Sequence, residues 1–201
     1  MVTGAVLAGG ESRRFGRNKA LEPFGDKRLI DHCVESVGRH CDPVLVVAND
    51  LSPYYGVRAT LIRDVIPHQG PLVGVYTALL FSPRQWVLVK ATDMPFWVPE
   101  LADLLFEGRE RVDAVVPMVG DHYEPLLALY HRRCLSAIAA TLQGEQRRIV
   151  DFFRKVKVRA ISEIEWRSAD PEGLSFANMN TPEDQERLLG HCRGRSLSKN
   201  Q

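Results

Sequence analysis

The sequence VTGAVLAGGESRRFGRNK occupies residues 2–19 and joins an apolar run to a loop rich in glycine and arginine. Residues 2–8 form a short run of the kind that is buried on both faces of a parallel sheet. Glycines directly after such a strand let backbone amides approach a ligand closely and point towards its anionic oxygens. The segment therefore predicts a strand that leads into an anion-binding loop, which extends from Gly9 to about Pro23.

The same loop carries a cluster of positive charge. Its basic side chains are Arg13, Arg14, Arg17 and Lys19, and a triphosphate is the anion that suits this combination. Two common alternatives are excluded by spacing, because neither the dinucleotide fingerprint G-x-G-x-x-G nor the loop G-x-x-x-x-G-K-[ST] occurs in the sequence. Taken alone, the loop is also compatible with a flexible turn whose charges are solvated.

Beyond the loop, short apolar strands alternate with helices of about ten residues, which is typical of an open parallel sheet covered by helices. The predicted strands are residues 44–48, 59–62, 86–89, 114–116, 126–130 and 156–161. The predicted helices are residues 29–37, 72–81, 134–142 and 149–153, with another beginning after the capping residue Thr181. We therefore predict an α/β fold, a Rossmann-like three-layer sandwich with a mostly parallel central sheet.

Four residues with possible binding roles come just after predicted strands. They are Gly9, Asn49, Asp64 and Asp93. Ligands of open parallel sheets collect at the carboxyl ends of the strands. This coincidence favours a nucleotide site at that edge. Taken singly, Asn49 and Asp64 have two interpretations, because each suits ribose hydroxyls or base edges and each also suits a simple turn.

Asp93 follows a buried strand, and Pro95 shapes the turn after it. A carboxylate there is well placed to hold Mg²⁺, a hard ion that takes one or two protein carboxylates together with phosphate oxygens. A turn-forming aspartate is the alternative for an isolated Asp-x-Pro, and the position opposite the glycine loop favours the metal. Asn178 and Asn180 precede the last helix, where they present amides to a ligand or satisfy backbone groups.

Composition limits the classes of function. The 201 residues suit one domain, predicted over residues 1–192 with a polar, frayed tail at 193–201. A net charge of +1 argues against nucleic acid as a partner. No run approaches the ~20 apolar residues that cross a bilayer, and the four cysteines lack zinc spacing, so we expect a cytoplasmic protein without a membrane partner.

The motifs together resemble the molybdenum cofactor guanylyltransferases of the MobA type, within the Rossmann-like nucleotidyltransferase superfamily. The glycine loop is similar to the superfamily signature L-A-G-G-x-S-x-R-x-G-x-x-K, and further matches cover most of the chain. The matching segments are residues 46–49, Asp64, 70–74, 93–95, 124–130 and 178–183. The resemblance implies a nucleotide-binding half at about residues 1–97 and an acceptor-binding half at about residues 98–192.

The resemblance also implies an activity and a set of residues. The activity is transfer of GMP from GTP to the terminal phosphate of molybdopterin, or of the molybdenum cofactor, with release of pyrophosphate and with Mg²⁺ as cofactor. The implied nucleotide contacts are Leu7, Ala8, Gly9, Gly10, Lys19, Asn49, Asp64 and Asp93, with Asp93 also holding the metal. Lys19 and Arg14 stabilise the departing pyrophosphate. Cofactor-biosynthesis proteins and molybdoenzyme chaperones are the protein partners expected for such an enzyme.

Three alternatives stay open at the level of the sequence. The same fold can use CTP, it can use a sugar or alditol phosphate as acceptor, or the chain can bind a nucleotide without catalysis. The pair Gly9-Gly10 favours GTP, because cytidylyl relatives often have alanine-glycine there. Two positions depart from the family pattern: Asn18 stands where relatives commonly have aspartate, and Phe15 stands where methionine is usual.

Overall fold

The computed structural model describes residues 1–9, 18–66, 70–144 and 148–198. The strands are β1 (Thr3–Leu7), β2 (Pro23–Phe24), β3 (Lys27–Arg28), β4 (Val44–Ala48), β5 (Thr60–Arg63), β6 (Trp86–Ala91), β7 (Ala114–Val119), β8 (His122–Tyr123), β9 (Leu127–His131) and β10 (Val158–Ile161). The α-helices are α1 (Leu29–Gly38), α2 (Pro71–Phe81), α3 (Pro99–Glu107), α4 (Cys134–Leu142), α5 (Glu163–Ala169) and α6 (Pro182–Ser198). Short 3-10 helices cover Lys19–Leu21, Ser52–Tyr54, Ile149–Lys155 and Leu174–Phe176.

One sheet organises the molecule, with strand order β10-β7-β9-β6-β1-β4-β5 and β8 paired to β7. β1 lies inside the sheet, next to the middle strand β6, and runs parallel to both β4 and β6. β9 runs antiparallel to β6 and β7, so the sheet is mixed but mostly parallel. The carboxyl ends of β1, β4, β5 and β6 consequently share one edge.

Side chains alternate between the two faces of the sheet and build two cores. Val6 and Leu88 belong to one core, together with buried residues of α1 and α3. Leu7 and Val89 face the other, which is completed by α2 and α4. Two helical layers around one sheet confirm the predicted three-layer sandwich with a mostly parallel sheet.

Several elements differ from the sequence prediction. α3, α5 and the hairpin β2–β3 were not predicted, and the hairpin begins at Pro23, where the predicted loop ends. The predicted helix at 149–153 is a 3-10 helix, Ile149–Lys155, and the following strand begins at Val158.

The last helix begins where the sequence places it but ends later. The Thr181 hydroxyl accepts a hydrogen bond from the Asp184 backbone N–H at 3.2 Å, so the predicted cap is present. The helix extends to Ser198, into the segment 193–201 for which the sequence predicts a polar, frayed tail. Over the described residues, no helix is both long enough and apolar enough to span a bilayer.

Candidate active site

A cavity of about 500 Å³ opens at the carboxyl edge of the sheet. Its walls come from the ends of β1, β4 and β5 and from the start of α2. The sequence-predicted residues in its lining are Leu7, Ala8, Gly9, Asn49 and Asp64. The structure therefore brings together residues that are up to 57 positions apart, as the strand-end argument predicts.

The backbone at the end of β1 is tied into the protein. Thr92 donates both its backbone N–H, at 3.2 Å, and its hydroxyl, at 2.7 Å, to the Leu7 carbonyl. The Ala8 N–H donates to the Val47 carbonyl, and the Ala8 carbonyl accepts from the Tyr54 hydroxyl at 2.9 Å. These three groups are satisfied internally, so Leu7 contributes its side chain to the cavity, and that side chain packs over Gly74.

Gly9 lies directly beside two of the polar lining residues. A Cβ atom built on Gly9 would be 3.5 Å from Asp64 Oδ2 and 3.7 Å from Asn49 Nδ2, which are ordinary contact distances. The described residues therefore leave room for a side chain at residue 9. Glycine at this position keeps that space free for a ligand beside Asp64 and Asn49.

Asp64 contributes a partly buried carboxylate to the lining of the cavity. Its Oδ1 atom is buried and has no hydrogen-bond partner among the described residues. Burial raises the pKa of Asp64, and a hydrogen bond with the Thr77 side chain partly opposes that effect. An unpaired buried acceptor is costly, so this oxygen suits a ligand that brings N–H or O–H donors.

Asn18 connects the two chain segments on either side of residues 10–17. Its Nδ2 donates to the Tyr54 hydroxyl at 3.0 Å, and that hydroxyl donates to Ala8. Its Oδ1 accepts from the Ala20 N–H at 3.1 Å and so caps the turn that contains Lys19. Asn18, one of the two departures from the family pattern, thus supports the position of Lys19.

A second group of polar side chains gathers beyond the end of β6. Lys19 Nζ lies 3.2 Å from Asp93 Oδ2 and 3.2 Å from Asn180 Oδ1. The Met179 N–H donates to the Asp93 carbonyl at 2.8 Å, which holds the two segments together. The sequence allowed two roles for Asn178 and Asn180, and the structure separates them. Asn178 Nδ2 donates to the Phe176 carbonyl at 3.4 Å, whereas Asn180 directs its side-chain oxygen to Lys19.

Glu124 is a second acidic residue of this region that residue patterns alone did not single out. It is largely buried, and its Oε1 accepts from the Leu126 N–H at 3.0 Å. Burial raises the pKa of Glu124, and the nearby charge of Asp93 raises it further. The Glu124-Pro125 pair before a strand was the only signal available in the sequence. Gly10 and Arg14, by contrast, lie outside the described residues, as do Arg13 and Arg17.

Comparison with known proteins places this geometry in a family. Residues 4–160 match the MobA-like NTP transferase domain. The chain belongs to this family. A molybdenum cofactor guanylyltransferase from Desulfosudis oleivorans is 38% identical over 188 residues, which are 92% of this chain and 93% of that protein. The prediction of a nucleotidyltransferase that resembles the molybdenum cofactor guanylyltransferases is confirmed at the level of the family.

Solved structures agree with the fold of this MobA-like chain. The molybdopterin-guanine dinucleotide biosynthesis protein A of Archaeoglobus fulgidus superposes with a TM-score of 0.82 at 30% identity, covering 96% of this chain and 100% of that chain. The 2-C-methyl-D-erythritol 4-phosphate cytidylyltransferase of Thermus thermophilus gives a TM-score of 0.69 at 16% identity, with coverage of 94% and 98%. The second likeness concerns the fold alone.

Proposed function

We propose that this MobA-like chain transfers GMP from GTP to the terminal phosphate of molybdopterin and releases pyrophosphate. The observation that carries the proposal is the position of the Lys19–Asp93–Asn180 cluster beside the cavity at the end of β1. Leu7 and Ala8 line the cavity, and Thr92 links Leu7 to the segment that bears Asp93. A nucleotide in the cavity would therefore extend its phosphates towards Lys19 and Asp93. The names of the similar proteins support guanylyl transfer.

The cavity chemistry supports guanine as the base. Guanine presents two adjacent donors, its N1–H and its 2-amino group, and a carboxylate accepts both. Cytosine presents one amino donor next to an acceptor nitrogen, which leaves half of that pairing unmade. Asp64, whose buried Oδ1 has no partner in the part of the chain that the structure describes, is the group we assign to guanine, and Asn49 beside it is assigned to the base or ribose.

The residues around Lys19 fit a divalent metal ion. Asp93 and Asn180 direct oxygen atoms to the same cationic Nζ, and oxygen donors are those that Mg²⁺ prefers. No set of three or more His, Cys, Asp or Glu side chains in the described ranges converges on a metal position. A metal held by Asp93 and Asn180 would therefore take its other ligands from phosphates and water. When bound, Mg²⁺ supplies charge neutralisation and orientation at the phosphates.

The reaction needs alignment and charge neutralisation more than acid–base catalysis. An oxygen of the acceptor phosphate forms a bond to the α-phosphorus of GTP, and the bond from that phosphorus to the bridging oxygen of pyrophosphate breaks. Pyrophosphate leaves with the electron pair. Lys19 stabilises the negative charge that develops on it, and Arg14 is assigned the same role. A phosphate monoester is already ionised near pH 7, so no protein base is required.

The segments after residue 97 supply groups for the acceptor. Asn180 reaches the Lys19–Asp93 pair from this half of the chain, and Glu124 lies close enough to Asp93 to feel its charge. We assign this half to molybdopterin or the molybdenum cofactor. Proteins that deliver or receive the cofactor, including molybdoenzyme chaperones, are the proposed macromolecular partners.

Two measurements test the proposal. Purified protein is incubated with GTP, molybdopterin and Mg²⁺, and the product is identified by mass spectrometry together with pyrophosphate release. A thermal-shift panel of GTP, CTP, ATP and UTP tests the base, since a ligand at 100 times its Kd stabilises a protein by about 2.7 kcal/mol. Stabilisation by CTP equal to that by GTP would overturn the guanine assignment, and absence of the dinucleotide product would overturn the transfer.

A further inference from the structure

A lysine lies buried in the centre of the sheet. Lys90 has 0% of its surface exposed, on a strand whose neighbouring residues are otherwise apolar. It pairs in register with Val6 and shares a face with Leu88, which belongs to the core under α1. Lysine is almost never fully buried without a partner, so this position calls for an explanation beyond packing.

The amino group of Lys90 contacts the turn that carries Asp93. Its Nζ donates to the Met94 carbonyl and lies 3.9 Å from Cys33 Sγ, a buried thiol of α1. That thiol in turn lies 3.5 Å from the Thr92 carbonyl and 3.9 Å from the Met94 carbonyl. Lys90 and Cys33 together therefore hold the residues on both sides of Asp93.

The Asp93 carbonyl, between those of Thr92 and Met94, also has a hydrogen-bond partner. The Met179 N–H donates to the Asp93 carbonyl, so the carbonyls of Thr92, Asp93 and Met94 meet groups of Cys33, Met179 and Lys90, respectively. A backbone fixed at three successive residues leaves little freedom to the central side chain. The Asp93 carboxylate is thereby kept directed at Lys19.

The cost of burying Lys90 argues that this side chain does more than fill the core. Burial lowers the pKa of Lys90 and raises the pKa of Cys33, so burial favours the uncharged form of both groups. A neutral amine and a thiol still donate hydrogen bonds to carbonyls. An apolar side chain of similar length would fill the same space without the cost of burying an amine.

We propose that Lys90 is a positioning residue: with Cys33 it fixes the turn at residues 92–94 and so presents the Asp93 carboxylate to the metal ion and to Lys19. The inference rests on the proposed function, because it assigns Asp93 to metal binding. Its test measures metal binding as well as turnover, so that the inference about Lys90 and the proposed function can fail separately.

The first experiment compares Lys90→Met with Lys27→Met. Both changes remove one lysine, but Lys27 is on the surface, where its Nζ pairs with Glu35 at 2.6 Å. Mn²⁺ binding is titrated by electron paramagnetic resonance in the presence of GTP, and GTP binding is titrated without metal. We expect Lys90→Met to weaken Mn²⁺ binding and to lower kcat about 10- to 100-fold, as loss of a group that orients a metal ligand does. Metal-free GTP affinity and both properties of Lys27→Met should stay close to wild type.

The thermal stability of the same variants completes the comparison. If Lys90 only fills the core, Lys90→Met will have wild-type Mn²⁺ affinity and kcat per folded molecule whatever its Tm, and the proposal is overturned. If Lys90→Met does not fold, Cys33→Ser and Cys33→Ala replace it. Serine keeps a donor to the Thr92 carbonyl, so Cys33→Ser should retain more Mn²⁺ affinity than Cys33→Ala, and equal affinities would overturn the proposal. A different outcome would overturn the proposed function instead: the variants change Mn²⁺ affinity as expected, but the wild-type protein transfers no guanylyl group.

Discussion

At the residue scale, the charge of Lys19 lies beside oxygen atoms of Asp93 and Asn180. Its side chain is only 15% exposed, and its Nζ is 3.2 Å from both Asp93 and Asn180. An ammonium group held in that way is preorganised for charge that develops on a phosphate. Losing one such contact costs roughly 3 kcal/mol of transition-state stabilisation, which is about 10²-fold in rate.

We therefore expect Lys19→Ala to lower kcat about 10²-fold and to weaken GTP binding much less. Lysine contributes charge here and not the shape of the cavity, which Lys19 does not line. Pyrophosphate release gives kcat and calorimetric titration gives the affinity, with Lys27→Ala as the surface control. If the variant keeps the wild-type kcat but loses GTP affinity, Lys19 binds the bound GTP and does not stabilise the transition state.

Asp93 gives a complementary prediction. Asp93→Asn keeps the shape and the backbone hydrogen bond from Met179 but removes the negative charge that a metal ion needs. Turnover should fall at least about 10²-fold while the thermal melt stays near that of the wild type. Turnover measured over a series of Mg²⁺ concentrations distinguishes a metal ligand from a turn residue at position 93. Near-normal turnover by the folded variant would show that Asp93 is a turn residue.

Residues at strand ends could be predicted from the sequence, and residues defined by contacts could not. Asn49, Asp64 and Asp93 each follow an apolar run, and that rule of position is visible along the chain. Tyr54 and Lys90 have no such signal. Tyr54 acts through a hydrogen bond to Ala8, 46 residues away, and Lys90 interrupts an apolar strand without any mark of what it contacts.

At the scale of elements, the site depends on how closely α1 packs against β1. A Cβ built on Gly4 would lie 2.3 Å from Val37 Cγ1 and 3.0 Å from Cys41 Cβ. Such distances require a neighbour to move. Gly4, near the start of β1, therefore allows the close approach of the helix, and β1 in turn delivers Leu7 and Ala8 to the cavity.

Gly4→Ala should destabilise the protein by about 1–3 kcal/mol, the usual range for overpacking a core. The matched control is Gly190→Ala in α6, where an added Cβ meets nothing within 4 Å among the described residues. That change should stabilise by up to ~1 kcal/mol through helix propensity. Urea unfolding measures both, and adding Val37→Ala to Gly4→Ala should recover part of the loss. Equal effects of the two alanines would contradict the packing argument.

The elements that the sequence prediction missed are of two kinds. α5 had a readable signal, because Ser162 and Glu165 form a capping box in which each side chain accepts from the other's backbone N–H. The hairpin β2–β3 has strands of two residues each, too short for a periodic pattern. Its pairing depends on neighbouring α1, a tertiary contact that a local pattern does not contain.

At the scale of the whole molecule, the sheet orders the two parts of the site along one edge. The cavity lies on the β4–β5 side of β1, and Asp93 follows β6 on the other side. A nucleotide whose base meets Asp64 must therefore cross the end of β1 before its phosphates reach Lys19. In the proposed function, base recognition at Asp64 and chemistry at Asp93 are thus separated in space but follow strands of the same sheet, so one rigid sheet can align them.

If Asp64 binds the base as proposed, this arrangement couples pH to nucleotide binding. Burial raises the pKa of Asp64 in the folded protein. A carboxyl whose pKa is higher in the folded than in the unfolded state contributes stability at low pH, and that contribution is lost as pH rises through the folded pKa. The ligand-free protein at neutral pH thus bears the cost of a charged, desolvated group, and guanine donors would remove part of it.

The stabilisation that GTP confers should consequently weaken as pH falls through the raised pKa of Asp64, in a window above the ordinary aspartate value of about 3.9. Asp64→Asn should raise the stability of the ligand-free protein at pH 7 by about 1 kcal/mol, since a charged acceptor without a partner becomes neutral. The same variant should gain less from GTP. Thermal melts with and without GTP across this pH range supply the data. The triphosphate titrates identically with both proteins, so the difference between them isolates Asp64. If the two pH profiles run parallel, Asp64 does not meet the base, and guanine selectivity must come from another part of the cavity.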